Sequence, residues 1–295
     1  MASIGIVHIP ASYEVLRKAV GDDRIGQVLI ECADDLTAVK RYLAEVRTAR
    51  QGKILFLKGE PGQGKTTFVE STGVFLADAV GAVQTAPPEY ELKLPDLPTW
   101  LSRELPRLRR TTRGRVIVVN LDGREIPVVD ETLTQASMAN LNALLRSTPD
   151  LLLVWPVNQR EFATQAIERL KTAGGESALA SSPIHDFAGL PRASYYDALR
   201  LLLDATDTRL EDAAISEAEA RGLVDSAQRI GEYLRLVQQL VVSRYDLGEI
   251  GAKLPRMTVV ITSNDDTYNA CRLLSPDPPM ARADSAVGTR KQVPF

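Results

Sequence analysis

Three short apolar runs stand out against segments in which apolar residues recur every three or four positions. The runs KILFLKG, RVIVVNLDG and LLLVWPV predict buried strands at 53–59, 115–123 and 151–157. The periodic segments predict helices, because that spacing places apolar side chains on one helical face. Strands this apolar are typically covered on both sides, so the pattern predicts an α/β fold with a parallel sheet sandwiched by helices.

The predicted helices of the sheet region have recognisable boundaries. The first covers 35–50, with Asp34 or Asp35 as its N-cap. The segment TTFVESTGVFLADAV predicts a second helix that Gly81 ends. The Pro-rich stretch 86–98 favours neither a helix nor a central strand, and Pro106 is expected to limit the length of the helix WLSRELPRLRR that follows. Two further helices are predicted at 134–147 and 159–172.

The pattern changes after Pro191. Segments 194–205, 213–224 and 226–243 predict helices with short connections, and the tail holds one strand-like run, MTVVITSN, before an aperiodic stretch. We therefore expect a core with an N-terminal helical extension at 1–190, a small all-helical lid at 191–245, and a C-terminal segment or linker at 246–295. The lack of a closing element suggests a piece of a longer protein.

Composition narrows the class of protein. Hydrophobic residues make up 44% and charged residues 25% of the chain, as in ordinary globular proteins. No apolar run is long enough to span a membrane, and the start lacks a signal peptide, so we expect a cytoplasmic protein without a membrane partner. With only two cysteines, Cys32 and Cys271, and two histidines, His8 and His185, the sequence does not predict a zinc site.

The segment Gly59-Glu60-Pro61-Gly62-Gln63-Gly64-Lys65-Thr66-Thr67 matches the phosphate-binding pattern G-x-x-x-x-G-K-[ST] in full. It stands between a predicted strand and a predicted helix, as that pattern requires. Glycines let successive amides turn toward a phosphate, and the helix start adds its unpaired amides. Lys65 suits the β- and γ-phosphates, and the Thr66 hydroxyl suits Mg²⁺. The sequence thus predicts a P-loop NTPase that binds ATP with Mg²⁺.

Hydrolysis also needs an acid that orients the metal and a group that positions water. Asp122, after the apolar run VIVVNL, fits the acid, although Asn120 could occupy the metal-facing position instead. Gly123 stands where a glutamate usually follows such an acid. Glu125 is therefore the candidate for positioning the attacking water, with Asp130 and Glu131 as alternatives. Asn158, at the end of the last predicted strand, either reaches the γ-phosphate or caps the following helix.

This ordered set resembles the AAA+ class of P-loop ATPases over roughly residues 30–245. The resemblance rests on the P-loop, the strand ending in Asp122, the strand followed by Asn158, and a helical lid after Pro191. It implies that Asn158 is the first sensor residue. It also implies a lid arginine at the γ-phosphate, Arg229 or Arg235, of which we favour Arg229. An arginine finger that completes a neighbouring subunit's site would be Arg169, and the resemblance therefore implies a homo-oligomer in the ATP state.

The stretch VVNLDGRE also resembles, more distantly, the KAP- and STAND-type P-loop NTPases, with Asn120 and Asp122 in the acidic places. Two functions follow. One is an ATPase that couples hydrolysis to action on a nucleic-acid or protein partner. The other is a slow-turnover nucleotide switch or scaffold that signals to another domain or a protein effector. A third hypothesis is a small-molecule kinase, but the long helical region after 191 disfavours it.

One basic segment concerns the partner. RELPRLRRTTRGR, from Arg103 to Arg115, holds six arginines and one acid in a chain whose net charge is −3. Such a local concentration suits phosphate backbones. The alternative is an ordinary solvated helix and loop. The segment is therefore a candidate nucleic-acid contact.

Overall fold

The computed structural model describes residue 9 and residues 13–21, 24–125, 134–213 and 215–244. Residues 1–238 form one compact unit, and residues 239–295 a second, of which only 239–244 are described. Asp130, Glu131, the run MTVVITSN and the tail therefore lie outside the described residues. The predicted domain boundaries at 190 and 245 stay predictions.

Five parallel strands form the sheet. They are β1 (Lys53–Lys58), β2 (Val80–Thr85), β3 (Val116–Asn120), β4 (Leu151–Val157) and β5 (Leu179–Asp186), in the spatial order β2-β3-β4-β1-β5. β1 lies between β4 and β5, so the segment that follows it leaves from the interior of the sheet. The carboxyl ends of β1, β3 and β4 meet at one edge, which is where the P-loop stands.

Helices cover both faces, as predicted. They are α2 (Ala33–Ala49), α3 (Lys65–Phe75), α4 (Leu97–Thr112), α5 (Gln135–Ser147) and α6 (Arg160–Gly174), and the short helix α1 (Tyr13–Val20) precedes them in the chain. Alternate side chains of each central strand enter two different cores, because successive residues of a strand face opposite sides. Ile117 and Val119 pack with α4, α5 and α6, while Val116 and Val118 pack with α2 and α3. The predicted α/β fold is confirmed.

The helical unit after Pro191 consists of α7 (Tyr195–Ala205), α8 (Glu217–Ser226) and α9 (Ile230–Arg244). Ser216 and Glu219 form a reciprocal capping box at the start of α8. The buried Tyr233 of α9 stacks at an angle on Tyr195, with ring centroids 5.9 Å apart, and donates to the Ala220 carbonyl at 3.2 Å. These contacts join the three helices into a small packed layer.

The prediction for the chain after α3 was wrong. The helix ends at Phe75 rather than continuing to Gly81, and Val80–Thr85 forms the edge strand β2 beside β3. Gly81 serves a close approach to α4 instead of ending a helix, because a Cβ there would come within 2.4 Å of the Thr112 Cβ. The apolar spacing of Leu76 and Ala79 fitted a helix, but pairing of Val80–Thr85 with β3 decides the structure.

Three smaller differences have physical reasons. Pro106 does not shorten α4, since it lies on the exposed face where water can reach the carbonyl it leaves unpaired. The strand β5 was not predicted, because LASSPIHD is a half-exposed edge strand that tolerates Pro183. Neither Asp34 nor Asp35 caps α2: Cys32 holds the N-cap position, and the Asp35 side chain is buried elsewhere.

Candidate functional site

The P-loop (residues 59–67) connects β1 to α3 in the conformation its sequence predicts. Gly62 and Gly64 have φ of +77° and +97°, values that side-chain-bearing residues rarely adopt. Gly64 is the N-cap of α3, and its carbonyl accepts from the Phe68 amide at 2.8 Å. The loop therefore delivers the unpaired amides of a helix start to the edge of the sheet, where the macrodipole favours an anion.

Lys65 occupies the centre of this loop. Its Nζ donates to the carbonyls of Gly59 at 2.6 Å and Glu60 at 3.1 Å, and to Oδ1 of Asn158 at 2.8 Å. Burial lowers the pKa of Lys65, and the carboxylates of Glu125 and Asp122 oppose this by favouring the charged form. The ammonium group is thus held by neutral oxygens, which a phosphate could replace with stronger charge-assisted bonds.

Thr66 and Asp122 form the second part of the site. The Thr66 hydroxyl donates to Oδ2 of Asp122 at 2.6 Å, and Oδ1 of Asp122 accepts from the Gly123 amide at 2.9 Å. A hydroxyl and a carboxylate oxygen side by side are hard ligands of the kind Mg²⁺ prefers. Among the described residues no group of three His, Cys, Asp or Glu could hold a metal, so phosphate and water would have to complete the coordination.

Asp122, rather than Asn120, contacts the Thr66 hydroxyl. The Asn120 side chain is fully buried beneath the site, and its Nδ2 faces the Thr85 hydroxyl at 3.5 Å. Thr85 in turn donates to Glu70, one helical turn below Thr66. Because the strand alternates, Asn120 and Asp122 share a side, but only Asp122 reaches Thr66. The Oδ1 of Asn120 has no hydrogen-bond partner.

Glu125 and Asn158 lie beside Lys65. The Glu125 carboxylate accepts from the amides of Asn158 at 2.7 Å and Gln159 at 2.6 Å, just before α6 begins. Asn158 is not the helix cap, because Gln159 holds that position and the Asn158 side chain bonds to Lys65. Glu125 therefore fixes the start of α6, and with it the backbone that carries Asn158.

The first turn of α9 contacts the P-loop. The Gly231 amide donates to the Gly62 carbonyl at 3.0 Å, and a Cβ on Gly231 would come within 2.8 Å of that oxygen. Arg229, half-buried, faces the Glu60 carboxylate at 3.3 Å and the Pro61 carbonyl at 3.5 Å. Arg235 is exposed on the same helix and does not line the site. Of the two candidate lid arginines, Arg229 is the one beside the loop.

A cavity of about 470 Å³ opens beside the P-loop. The loop residues 60–67 form one side of it, together with Asp122, Glu125 and Asn158. The other side is mainly apolar and was not predicted: it includes Leu16, Val28, Leu29, Ile30, Leu202 and Ile230. The volume lies within the range of small-molecule sites. The only sequence signal for this side was the short apolar run VLI at 28–30.

Cys32 also lines this cavity. Burial raises the pKa of the Cys32 thiol to about 11, with the carboxylates of Asp35 and Glu31 adding to the shift. The thiol is therefore protonated at neutral pH and behaves as a small apolar side chain.

Arg124 is a further residue that the sequence did not single out. It follows Gly123, is fully buried, and pairs with Glu89 at 2.6 Å while donating to the carbonyls of Leu92 and Pro87. Burial lowers the pKa of Arg124, and Glu89 opposes that shift. This side chain ties the turn after Asp122 to the segment that follows β2.

Arg169 does not join the site in its own chain. It lies half-buried in the third turn of α6, about 14 Å along the helix from Arg160 at its start. Asn158 precedes the start of that helix, and Arg169 is not among the residues that line the cavity beside the P-loop.

The fold and the site together define an α/β protein that carries a P-loop at the edge of a parallel sheet. The structure contains the P-loop after β1, Asp122 after β3, Asn158 after β4, which lies between those two strands, and a helical unit against the loop. Within the described ranges, no helix combines the length and apolar content needed to cross a membrane.

Neither a protein-family model nor any curated protein matches the sequence. Among solved structures, the chain is similar to the ADP form of the Aeropyrum pernix ORC2 protein, with 11% identity, 82% of this chain and 75% of that chain covered, and a TM-score of 0.46. It is also similar to Rif2 in complex with the C-terminal domain of Rap1, with 10% identity, coverages of 80% and 94%, and a TM-score of 0.42.

A third similar structure is that of Drosophila ORC bound to DNA, with 15% identity, coverages of 83% and 70%, and a TM-score of 0.36. At such TM-scores these similarities say nothing about what the present chain binds.

Proposed function

We propose that the protein binds ATP with Mg²⁺ and hydrolyses it, and that its nucleotide state controls self-assembly and action on a nucleic-acid or protein partner. The observation that carries this proposal is the convergence, at one P-loop, of Lys65 bonded to Asn158 and Thr66 bonded to Asp122. Four side chains from β1–α3, β3 and β4 thus meet where a triphosphate would lie.

ATP would be held along the length of the P-loop. The amides of Gly62, Gly64, Lys65, Thr66 and Thr67 are the candidate phosphate donors. Pro61 has no amide hydrogen, and the amides of Gly59, Glu60 and Gln63 donate within the protein and hold the shape of the loop. Lys65 would exchange its carbonyl partners for phosphate oxygens. Arg229, now beside Glu60, is close enough to the loop to serve the γ-phosphate after a change of rotamer. The apolar side of the cavity suits the adenine ring of ATP.

Thr66 and Asp122 would hold Mg²⁺, which neutralises phosphate charge as the transfer proceeds. Asn158 and Glu125 are the candidates for positioning the attacking water. Their positions support this assignment, because the Asn158 side chain accepts from Lys65 and the Glu125 carboxylate accepts from the Asn158 amide. Asp122, held by the Gly123 amide, keeps its second oxygen toward Thr66.

A second function, the slow-turnover switch or scaffold of the KAP or STAND type, is favoured by one observation. Both Glu125 oxygens already accept backbone amides, and Gly123 supplies no carboxylate beside Asp122. Slow hydrolysis with tight nucleotide binding would follow if Glu125 stays on those amides when ATP is bound.

One experiment separates the two functions. ATP turnover is measured with and without DNA, alongside the mass of the protein with a non-hydrolysable analogue. We expect nucleotide-dependent assembly and turnover that rises with a partner. Tight binding with almost no turnover would favour the switch, and absence of ATP binding would contradict both.

The nucleic-acid partner would contact an arginine face of α4. Arg103, Arg107 and Arg110 recur at helical spacing opposite the buried Leu101 and Leu105, and all three are exposed. Two other arginines of the segment, Arg109 and Arg115, bond to neighbouring parts of the fold instead. Arg109 pairs with Asp150 through two hydrogen bonds, and Arg115 donates to the Ala77 carbonyl at 2.6 Å.

The test replaces Arg103, Arg107 and Arg110 by glutamine. The matched control replaces three exposed arginines of the helical unit, Arg192, Arg200 and Arg209. We expect the first variant alone to lose affinity for duplex DNA and to show a shallower dependence of affinity on salt concentration. An equal loss of DNA affinity in both variants would mean that only the net charge of the protein matters. Unchanged DNA affinity in the first variant would favour a protein effector.

A further inference from the structure

A buried carboxylate at the start of α2 is connected to the P-loop through the chain segment that follows β5. We infer that Asp35 is a positioning residue of the nucleotide site and acts through the backbone of residues 187–189 and the Gln63 side chain. The inference rests on the proposed function, because it concerns the shape of the loop that would bind the phosphates.

Asp35 is only 2% exposed, although it lies in the first turn of a helix. Its Oδ1 accepts from the Ala188 amide at 3.2 Å, and its Oδ2 accepts from the Gly189 amide at 3.1 Å. The His185 Nε2 lies 2.7 Å from Oδ1. A carboxylate this deeply buried is tolerated only when such partners satisfy it, so Asp35 and the segment after β5 hold one another in place.

Gln63 connects that segment to the P-loop. Its Nε2 donates to the carbonyls of Phe187 at 2.7 Å and Ala188 at 3.0 Å, and its Oε1 accepts from the Glu60 amide at 2.8 Å. One end of the side-chain amide thus fixes the turn of the P-loop, and the other end is fixed by backbone that Asp35 holds. Position 63 is unspecified in the P-loop pattern, yet here every polar atom of its side chain is used.

Gly189 completes the connection. Its φ is +75°, and a Cβ there would come within 3.0 Å of the Gln63 Cγ. A side chain at position 189 would therefore push Gln63 away from its carbonyl partners as well as strain the backbone. The same contact can thus be disturbed from Asp35 or from Gly189.

The consequence concerns phosphate binding. P-loop amides bind phosphate tightly because they are aimed before the ligand arrives, so losing the Gln63 bonds means that binding must order the loop. A hydrogen bond of ordinary net strength corresponds to a few-fold to about tenfold in affinity. We expect a loss of that size when Asp35 or Gln63 is replaced.

The test is a double-mutant cycle on the dissociation constant of ATP, with Asp35→Asn, Gln63→Ala and the two combined. We expect each single variant to bind about tenfold more weakly and the double variant to bind no more weakly than Gln63→Ala, because Asp35 acts through Gln63. Asp34→Asn is the matched control, an exposed acid on the same turn, and should leave affinity unchanged. Additive losses in the double variant would overturn the inference, since a merely structural role for Asp35 gives that result.

Gly189→Ala provides a second route if Asp35→Asn fails to fold. It should weaken ATP binding in the wild-type background and have no further effect on affinity beside Gln63→Ala. Normal ATP binding by the wild type together with unchanged affinity in Gly189→Ala and Gln63→Ala would contradict the inference alone. Failure of the wild type to bind ATP would contradict the proposed function, and the inference with it.

Discussion

Thr66 and Asp122 are 56 positions apart in the chain, yet the hydroxyl of one donates to the carboxylate of the other at 2.6 Å. The pair exists because β1 and β3 are both parallel neighbours of β4, so the segments after them reach the same edge. Thr66 is the first-turn residue of α3, and Asp122 is held by the Gly123 amide. The proposed metal contact thus needs no rearrangement of the backbone.

Replacing Asp122 by asparagine is expected to reduce hydrolysis far more than nucleotide binding. Asparagine keeps the size of the side chain but loses the charge that would orient Mg²⁺, while the P-loop amides and Lys65 remain. Turnover and ATP affinity measured over a range of Mg²⁺ concentrations check this. Equal losses in both quantities would contradict a metal-orienting role.

Asn120→Ala is the neighbouring comparison. Because the Asn120 side chain is buried and its Nδ2 donates to Thr85, we expect the substitution to lower the free energy of unfolding by about 1–3 kcal/mol. Turnover should stay close to that of the wild type. If Asn120→Ala loses more turnover than Asp122→Asn, Asn120 rather than Asp122 would face the metal, as in the KAP-like alternative.

Lys65→Ala is expected to abolish ATP binding at ordinary concentrations. The variant leaves the phosphates with backbone donors alone, and charge-assisted hydrogen bonds contribute about 1.5–3 kcal/mol each. Isothermal titration with ATP and Mg²⁺ measures the effect, with the exposed Lys93→Ala as control for loss of one positive charge. Unchanged affinity in Lys65→Ala would sink the proposal of a working P-loop.

Arg169 is expected to act on a neighbouring copy of the chain. An arginine finger can be worth 10³–10⁵ in rate, so both Arg169→Ala and Lys65→Ala should be nearly inactive alone. Mixing them should restore part of the activity, because one interface then combines an intact P-loop with an intact Arg169. Lys171→Ala, on the same helix, is the control. A monomer whose turnover is independent of its own concentration would refute this prediction.

Cys32 is expected to react slowly with iodoacetamide. At pH 8 a thiol with a pKa of about 11 carries about a hundredfold less thiolate than a free cysteine, and the rate should keep rising as pH approaches 11. Mass spectrometry of a Cys271→Ser variant follows this single thiol. Denaturant should bring the rate up to that of free cysteine, whereas a fast reaction in the folded protein would contradict the burial of Cys32.

The sequence predicted the central strands and missed the edges for one reason. β1, β3 and β4 are buried on both faces and therefore appear as continuous apolar runs. The edge strands are only partly buried, so VGAVQT and LASSPIHD mix polar and apolar residues without a clear period. Their identity depends on pairing with β3 and β1, which no local pattern records.

The same division holds at the site. The P-loop was predictable because its chemistry is contiguous, and Asp122 and Asn158 followed from the rule that parallel strands end at one edge. Arg124, Asp35 and the partners of Glu125 were not, since each acts through a contact between distant segments. The part of the site that consists of side chains bonded to backbone therefore became visible only in three dimensions.

The strand order has a consequence for how the chain acquires this site during synthesis. β1 is made first, but both of its neighbours, β4 and β5, follow much later in the chain. Closing such distant pairs is slow and costs chain entropy before any contact repays it. Gln63 also finds its carbonyl partner only at Phe187. Nascent chains that stop before that residue are expected to display the glycine-rich loop without the ability to retain a nucleotide.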